Sequence, residues 1–174
     1  MNLQKIQLCK RCDLCKNQIP LTNKKVAADV MLVGLSAKIV EDPKNTPPLS
    51  VETNSGKIIR QIEDRFPRIT FYETNLVKCP PLDNKNKLRY PNLSEKKTCV
   101  DNLLQEINVL KPKIVFALGK EVYLFLQSYL KDNKTIQDKL IYIEHPSYIY
   151  VYKRKFIEDY IKKIRKYLYQ YSLL

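Results

Sequence analysis

The sequence predicts an α/β fold, a three-layer α/β/α sandwich whose central sheet has four strands and is mostly parallel. Four short apolar runs have the length and continuous hydrophobicity of strands that are covered on both faces. Segments with helical periodicity separate these runs, which is the order of a sheet built from helical crossovers. The 174 residues contain no internal repeat and no interdomain linker, so we expect a single domain over residues 1–174.

The predicted strands cover residues 30–33, 70–77, 114–118 and 140–143. Glycines at 34 and 119 end the first and third. Ligands of such sheets collect at the carboxyl ends of the strands. The segments that follow the strands, GLSAKIVED, NLVKCPP, GKE and EHPS, are therefore expected on one rim, and EHPS carries the only histidine, His145.

Helical periodicity predicts helices over residues 56–66, 95–110, 120–130 and 154–168. Ser94 is a candidate N-cap for the second helix, although Lys97 stands where a capping box needs an acidic residue. Pro112 ends that helix. The last helix is basic and rich in tyrosine.

The formal net charge of +13 indicates a polyanionic partner, most simply nucleic acid. The alternative is a lysine excess that only keeps the protein in solution. No apolar run approaches the roughly 20 residues of a membrane helix, and the N-terminus lacks the apolar core of a secretion signal. We therefore expect a cytoplasmic protein that does not associate with membranes.

Five cysteines occupy two regions of the chain. CKRCDLC contains Cys9, Cys12 and Cys15, whereas Cys79 follows a predicted strand and Cys99 lies near the start of a predicted helix. A cytosolic protein does not normally keep disulfides, so metal binding is the leading interpretation. Four thiolates suit either zinc or an iron–sulfur cluster, and their spacing does not separate the two.

Taken together, these segments resemble the uracil-DNA glycosylase superfamily, and most closely its family-four iron–sulfur members. CKRC resembles the N-terminal cysteine pair of that family, TNLVKCPP resembles TNVVKCRPP, and the run from Glu95 to Cys99 fits an E-x3-C segment. PKIVFALG resembles PKVIVALG, and EHPS resembles the terminal HPS motif. VGLSAKIVED occupies the place of the first motif, VGEAPG followed by an ED pair.

The resemblance implies a uracil-DNA glycosylase-like fold and a structural [4Fe–4S] cluster, with zinc as the alternative metal. Its ligands would be Cys9, Cys12, Cys79 and Cys99, and residues 1–20 would form a cluster-binding arm. Cys15 would then be spare. DNA is the implied partner, and we expect the protein to act as a monomer.

The resemblance also assigns roles in the site. Asn75 corresponds to the asparagine that reads the pyrimidine edge, and His145 corresponds to the histidine near the base O2. Tyr148 or Ile149 lies where the family inserts a side chain into the duplex. Asp42, from the retained ED pair, could orient water, although a carboxylate that caps its own loop is the alternative. The remaining residues expected to bind substrate are Gly34, Leu35, Ser36, Leu49, Ser147 and Tyr148.

The first motif departs from the family pattern. Leu35 and Ala37 replace its glutamate and proline, and Lys38 replaces its next glycine. The PFVG segment, whose phenylalanine stacks on uracil, has no clean counterpart, and Leu49 of TPPLSVETNSG lies nearest. The reshaped loop could admit a larger base.

Three functions follow from this comparison. The favoured function is a monofunctional DNA glycosylase for uracil or a modified pyrimidine, including a version that excises modified phage bases, such as glucosylated hydroxymethylcytosine, in antiviral defence. The others are a catalytically inactive iron–sulfur DNA-binding protein and a zinc-stapled module that binds RNA or protein.

Overall fold

A computed structural model describes residues 3–174 and has the predicted three-layer α/β/α architecture. The central sheet has the strand order β2-β1-β3-β4, and every neighbouring pair is parallel. The strands are β1 (Val30–Ser36), β2 (Phe71–Val77), β3 (Ile114–Leu118) and β4 (Leu140–Ile143). The four predicted strands are therefore confirmed, in a sheet that is wholly parallel.

The helices are α1 (Asn54–Arg65), α2 (Leu93–Leu110), α3 (Lys120–Tyr129), α4 (Lys134–Gln137), α5 (Pro146–Tyr152) and α6 (Ile157–Gln170). The 3-10 turns are Leu3–Leu8, Asp13–Lys16 and Arg154–Phe156. The predicted closing helix is thus divided into a 3-10 turn and α6, while α4 and α5 were not predicted. Within the described chain, no helix has both the length and the apolar character needed to cross a membrane.

The start of α2 corrects the sequence prediction. Asn92, and not Ser94, is the N-cap: its side-chain oxygen accepts from the backbone N–H of Glu95 at 2.9 Å. The carboxylate of Glu95 accepts in return from the backbone N–H of Asn92 at 2.8 Å. This is a complete capping box with Glu95 as its acidic partner. The prediction of Ser94 as the cap was therefore wrong, because it placed the cap two residues too late.

Alternate residues of β1 enter two separate hydrophobic clusters. Met31 and Val33 pack on the side of α2 and α3, whereas Val30 and Leu32 pack on the side of α1 and α6. This alternation is the consequence of side chains pointing to opposite faces of a strand. It explains why a strand buried on both faces has a continuous apolar sequence.

Residues that precede β1 cover the outer edge of β2. The backbone N–H of Leu21 donates to the carbonyl of Lys78 at 2.8 Å, and the Lys25 ammonium donates to the carbonyl of Phe71 at 2.7 Å. Asn23 donates to the side chain of Glu73 at 2.7 Å. The edge strand is therefore protected from pairing with another chain.

Candidate active site

A cavity of about 250 Å³ lies at the carboxyl ends of the strands. The chain passes from β1 to β2 on one side and to β3 on the other, so β1 marks the topological switch point where ligands of open α/β sheets bind. Asn75 at the end of β2 and His145 just after β4 both line this cavity. Its other lining residues are Leu21, Leu35, Ser36, Lys38, Val40, Pro47, Leu49, Ser50, Thr53, Ser55, Leu88, Arg89 and Tyr90.

Asn75 holds a buried amide whose oxygen is unpaired. The residue is 2% exposed, and among the described residues its Oδ1 atom has no hydrogen-bond partner. Gly34 lies directly opposite Asn75 in the pairing of β1 with β2. A Cβ atom at Gly34 would come within 2.4 Å of Oδ1, so the amide needs glycine at this position. An unpaired buried carbonyl costs about 1–3 kcal/mol, which a ligand donor would recover.

His145 is the N-cap of α5, and this role fixes its tautomer. The Nδ1 atom accepts from the backbone N–H of Ser147 at 3.2 Å and lies 2.7 Å from the Ser147 hydroxyl. Burial lowers the pKa of the imidazole, and the positive charge of Lys38 lowers it further. The ring is therefore neutral at pH 7, and because Nδ1 is an acceptor, its proton is assigned to Nε2.

Only some of the predicted substrate-binding residues line the cavity. Leu35, Ser36 and Leu49 line the cavity. Leu49 has a positive φ of 56°, and its Cδ2 atom would be 3.2 Å from a Cβ atom at Gly34. Gly34 and Ser147 do not line the cavity. Gly34 leaves room for the Asn75 amide, and Ser147 holds the imidazole of His145.

Asp42 lies on an exposed loop and is not one of the residues that line the cavity. Its carboxylate accepts from the Asn45 side chain at 2.7 Å and from the backbone N–H of Lys44 at 3.2 Å. The bond from the Asn45 side chain, with help from the backbone, lowers the pKa of Asp42. These contacts favour loop capping over the predicted role in orienting water.

One wall of the cavity was not predicted from the sequence; it is formed by Leu88, Arg89 and Tyr90. These residues follow a tight turn in which Leu82 pairs with Leu88 in an antiparallel bridge. The signal available in the sequence was the polar run DNKN, which is typical of a turn. The contact of this segment with the cavity depends on tertiary structure.

An aromatic and basic surface follows His145 along α5. Tyr148 is 44% exposed, and its ring lies 5.4 Å from that of Tyr152. The Lys153 ammonium is 5.3 Å from the centre of the Tyr148 ring. Ile149 is buried, so Tyr148 is the exposed member of the two positions predicted to insert into a duplex.

The cysteines of the arm lie beside those that follow β2 and begin α2. The Asn102 amide nitrogen is 3.6 Å from the sulfur of Cys9 and 3.8 Å from that of Cys99. Cys12 packs against the hydrophobic cluster that contains Cys79 and Cys99. Arg11 anchors the arm through Asp101 at 2.9 Å and Asn102 at 2.7 Å. The fold therefore brings the four predicted ligands to one region.

Nitrogen donors lie close to the sulfurs of Cys9 and Cys99. Arg11 Nε lies 3.5 Å from the Cys9 sulfur, and the backbone N–H of Lys78 donates to that of Cys99 at 3.3 Å. Burial raises the pKa of Cys9, but its bonds with Arg11 and Asn102 more than offset this, so the net pKa is lowered. Burial raises the pKa of Cys79 and Cys99. No group of three or more His, Cys, Asp or Glu side chains in the described chain is arranged to hold a metal ion.

Comparisons with known proteins agree with this fold. The family described as "Uracil DNA glycosylase superfamily" matches residues 22–169. A type-4 uracil-DNA glycosylase from Pyrobaculum aerophilum is 34% identical over 128 residues, which cover 68% of this chain and 61% of the relative. A type-4 uracil-DNA glycosylase from Sulfurisphaera tokodaii is 28% identical over 153 residues, which cover 84% and 64%.

The chain spans about three fifths of the length of these curated relatives. The crystal structure of SMUG2 from Pedobacter heparinus has the same fold, with a TM-score of 0.62 at 15% identity over 85% of this chain and 77% of that one. The family match extends over most of the chain, from the residues that cover β2 to the last turn of α6. The chain belongs to the uracil-DNA glycosylase superfamily.

Proposed function

We propose that the protein is a monofunctional DNA glycosylase that acts as a monomer, extrudes a uracil from DNA and hydrolyses its N-glycosidic bond, leaving an abasic site. One observation carries this proposal: the buried, unpaired Oδ1 atom of Asn75 lies in the same cavity as the neutral imidazole of His145. The relatives named as type-4 uracil-DNA glycosylases support it. The charge of +13 supports DNA as the partner.

Asn75 would recognise the base. Its Oδ1 atom can accept a hydrogen bond from the N3–H group of uracil, and an amide nitrogen can donate to the neighbouring O4. Enzymes that act on a base inside DNA extrude it and read its Watson–Crick edge in this way. Binding would therefore satisfy the group that the free protein leaves unpaired.

His145 would stabilise the leaving base. Cleavage of the glycosidic bond leaves negative charge on the base and positive charge on the sugar, and water then adds hydroxide to the sugar and a proton to the base. The Nε2–H group of His145 can donate to the base O2 as the negative charge forms. One such donor in a closed site is worth about 3–4 kcal/mol of transition-state stabilisation.

Excision from a DNA oligonucleotide with a single uracil, followed by alkaline cleavage of abasic sites, tests the proposal. We expect the parent protein to produce strand breaks and His145→Ala and Asn75→Ala to produce at least a hundredfold fewer per unit time. Tyr169→Ala, which changes an exposed residue of α6, is the matched control and should retain parental activity. Parental activity in His145→Ala would refute the assignment.

A modified pyrimidine is the second candidate substrate. Small hydroxyl side chains, Ser36, Ser50, Thr53 and Ser55, form part of the cavity lining, and Leu49 leaves it without a large ring there. A base with a polar C5 substituent, such as glucosylated hydroxymethylcytosine, would fit such a wall. Release of that base from modified phage DNA, in the same assay, would support a role in antiviral defence.

We also propose that Cys9, Cys12, Cys79 and Cys99 hold a [4Fe–4S] cluster, which would tie the arm to the sheet. The proximity of these cysteines and the nitrogen donors near Cys9 and Cys99 support it, since thiolate ligands of such clusters accept hydrogen bonds. Zinc is the alternative metal, and a single zinc ion would bind the four sulfurs at the corners of a tetrahedron, about 4 Å from one another. Brown protein with matched iron and sulfide would support the cluster, and a colourless zinc protein would refute it.

A further inference from the structure

We propose that Tyr90 is the residue that stacks on the extruded base, and so determines which bases the cavity retains. This inference rests on the proposed glycosylase function and adds a residue to the substrate site. It follows from the composition of the cavity and from the position of the tyrosine at its wall.

The cavity lacks other large rings. Among its lining residues in the described chain, the imidazole of His145 is the only other aromatic group, and α5 holds that ring through Nδ1. The aliphatic side chains of Leu35 and Leu49 also line the cavity. A base that pairs with Asn75 through its edge still presents two flat faces, and aromatic side chains are the strongest sequence-tolerant partners for such faces.

Tyr90 has a ring that is free to make this contact. It lines the cavity and yet is 77% exposed. Across residues 3–174, its ring makes no aromatic contact, and its hydroxyl has no hydrogen-bond partner. An exposed ring with no partner in the free protein gains most when a ligand covers it.

The backbone that carries Tyr90 is held in place. The Arg89 guanidinium donates to the carboxylate of Glu95 at 2.6 and 2.9 Å, to the carbonyl of Tyr90 at 3.0 Å and to the carbonyl of Leu82 at 3.0 Å. The turn before it is closed by Asp83, whose carboxylate accepts from two backbone N–H groups at 2.8 Å. The ring is therefore presented from a fixed segment, so stacking does not require a loop to become ordered.

The test separates contact with the base from contact with the backbone. The affinity of each variant is measured for two DNA duplexes, one that carries a hydrolysis-resistant deoxyuridine analogue and one that carries an abasic site at the same position. Tyr90→Ala should bind the deoxyuridine duplex about tenfold or more weakly than the parent, since stacking on a base has that weight. Its affinity for the abasic duplex should stay within twofold. Tyr90→Phe should behave as the parent, and Tyr169→Ala is the control for loss of an exposed tyrosine.

If the parent protein excises uracil, two results would overturn this inference alone. Tyr90→Ala would lose equal affinity for both duplexes, or it would lose affinity for neither. A parent that neither excises uracil nor prefers the deoxyuridine duplex overturns the proposed function, and the inference with it. Tyr90→Ala must also melt at the parental temperature, as expected for an exposed residue.

Discussion

Replacing Gly34 by alanine should disable base recognition without unfolding the protein. The new methyl carbon would come within 2.4 Å of Asn75 Oδ1, closer than such atoms approach in real structures, and within 3.2 Å of Leu49 Cδ2. The Asn75 amide is unpaired and can rotate away, whereas the paired backbone of β1 and β2 cannot. The strain is therefore relieved at the Asn75 amide, the group that is proposed to read the base.

The expected magnitude follows from the contacts that the amide would lose. Two hydrogen bonds to the base, at about 1–1.5 kcal/mol each, correspond to roughly a 30- to 150-fold fall in kcat/KM. The free energy of unfolding should change by less than about 1 kcal/mol, since alanine is better tolerated than glycine inside a strand. Excision from uracil DNA and urea denaturation measure the two quantities.

A double-mutant cycle with Asn75→Ala identifies the cause. If Gly34→Ala acts by displacing the amide, it should cost little further activity once Asn75 is alanine. Strictly additive losses would refute the reasoning and point instead to a direct effect on the cavity wall. A large fall in unfolding free energy would refute the claim that the amide absorbs the strain.

The remaining predictions concern stability and the cysteines. Burial lowers the pKa of His145, the only histidine, so the unfolded chain binds more protons; the free energy of unfolding should fall as the pH drops below about 6.5, and His145→Gln should remove this dependence in urea denaturation. Lys78→Met leaves the buried Glu106 carboxylate without its cation and should cost about 3–5 kcal/mol, which the addition of Glu106→Gln should partly restore. A cost below 1 kcal/mol would contradict this. Cys99→Ser should lose iron on purification, whereas Cys15→Ser should retain it; equal iron contents would exclude the proposed ligand set.

The strands β1 and β3 could be predicted because burial on both faces leaves a continuous apolar run. The helix α5 could not, since PSYIYVY is rich in aromatic and β-branched residues that favour strands. It is helical because Pro146 occupies its first turn, His145 caps it and Ile149 packs into the core. The cap, the proline and the packing of Ile149 together outweigh the preference of the aromatic and β-branched residues for strands.

The site was predictable where neighbouring strands end, and not where distant segments meet. Asn75 and His145 could be placed on one rim because both lie at the carboxyl ends of strands in a parallel sheet, and they share a cavity. Tyr90 lines the same cavity from a segment that is held by the pairing of Arg89 with Glu95 and by the bond from Arg89 to the carbonyl of Leu82. Such a pairing has no periodicity in the sequence from which it could be inferred.

The other polar side chains of β2 give the strongest argument that Asn75 binds a ligand. The Tyr72 hydroxyl and Thr74 hydroxyl both donate to the Glu106 carboxylate, at 3.0 and 2.9 Å, and Lys78 neutralises it. These groups are all buried and all paired. Neighbours on a strand point to opposite faces, so Thr74 meets α2 while Asn75 meets the cavity. On the side of α2, β2 thus pairs its buried hydroxyl groups, whereas it leaves one amide oxygen unpaired where the cavity opens. This is the arrangement that recognition of an extruded base requires.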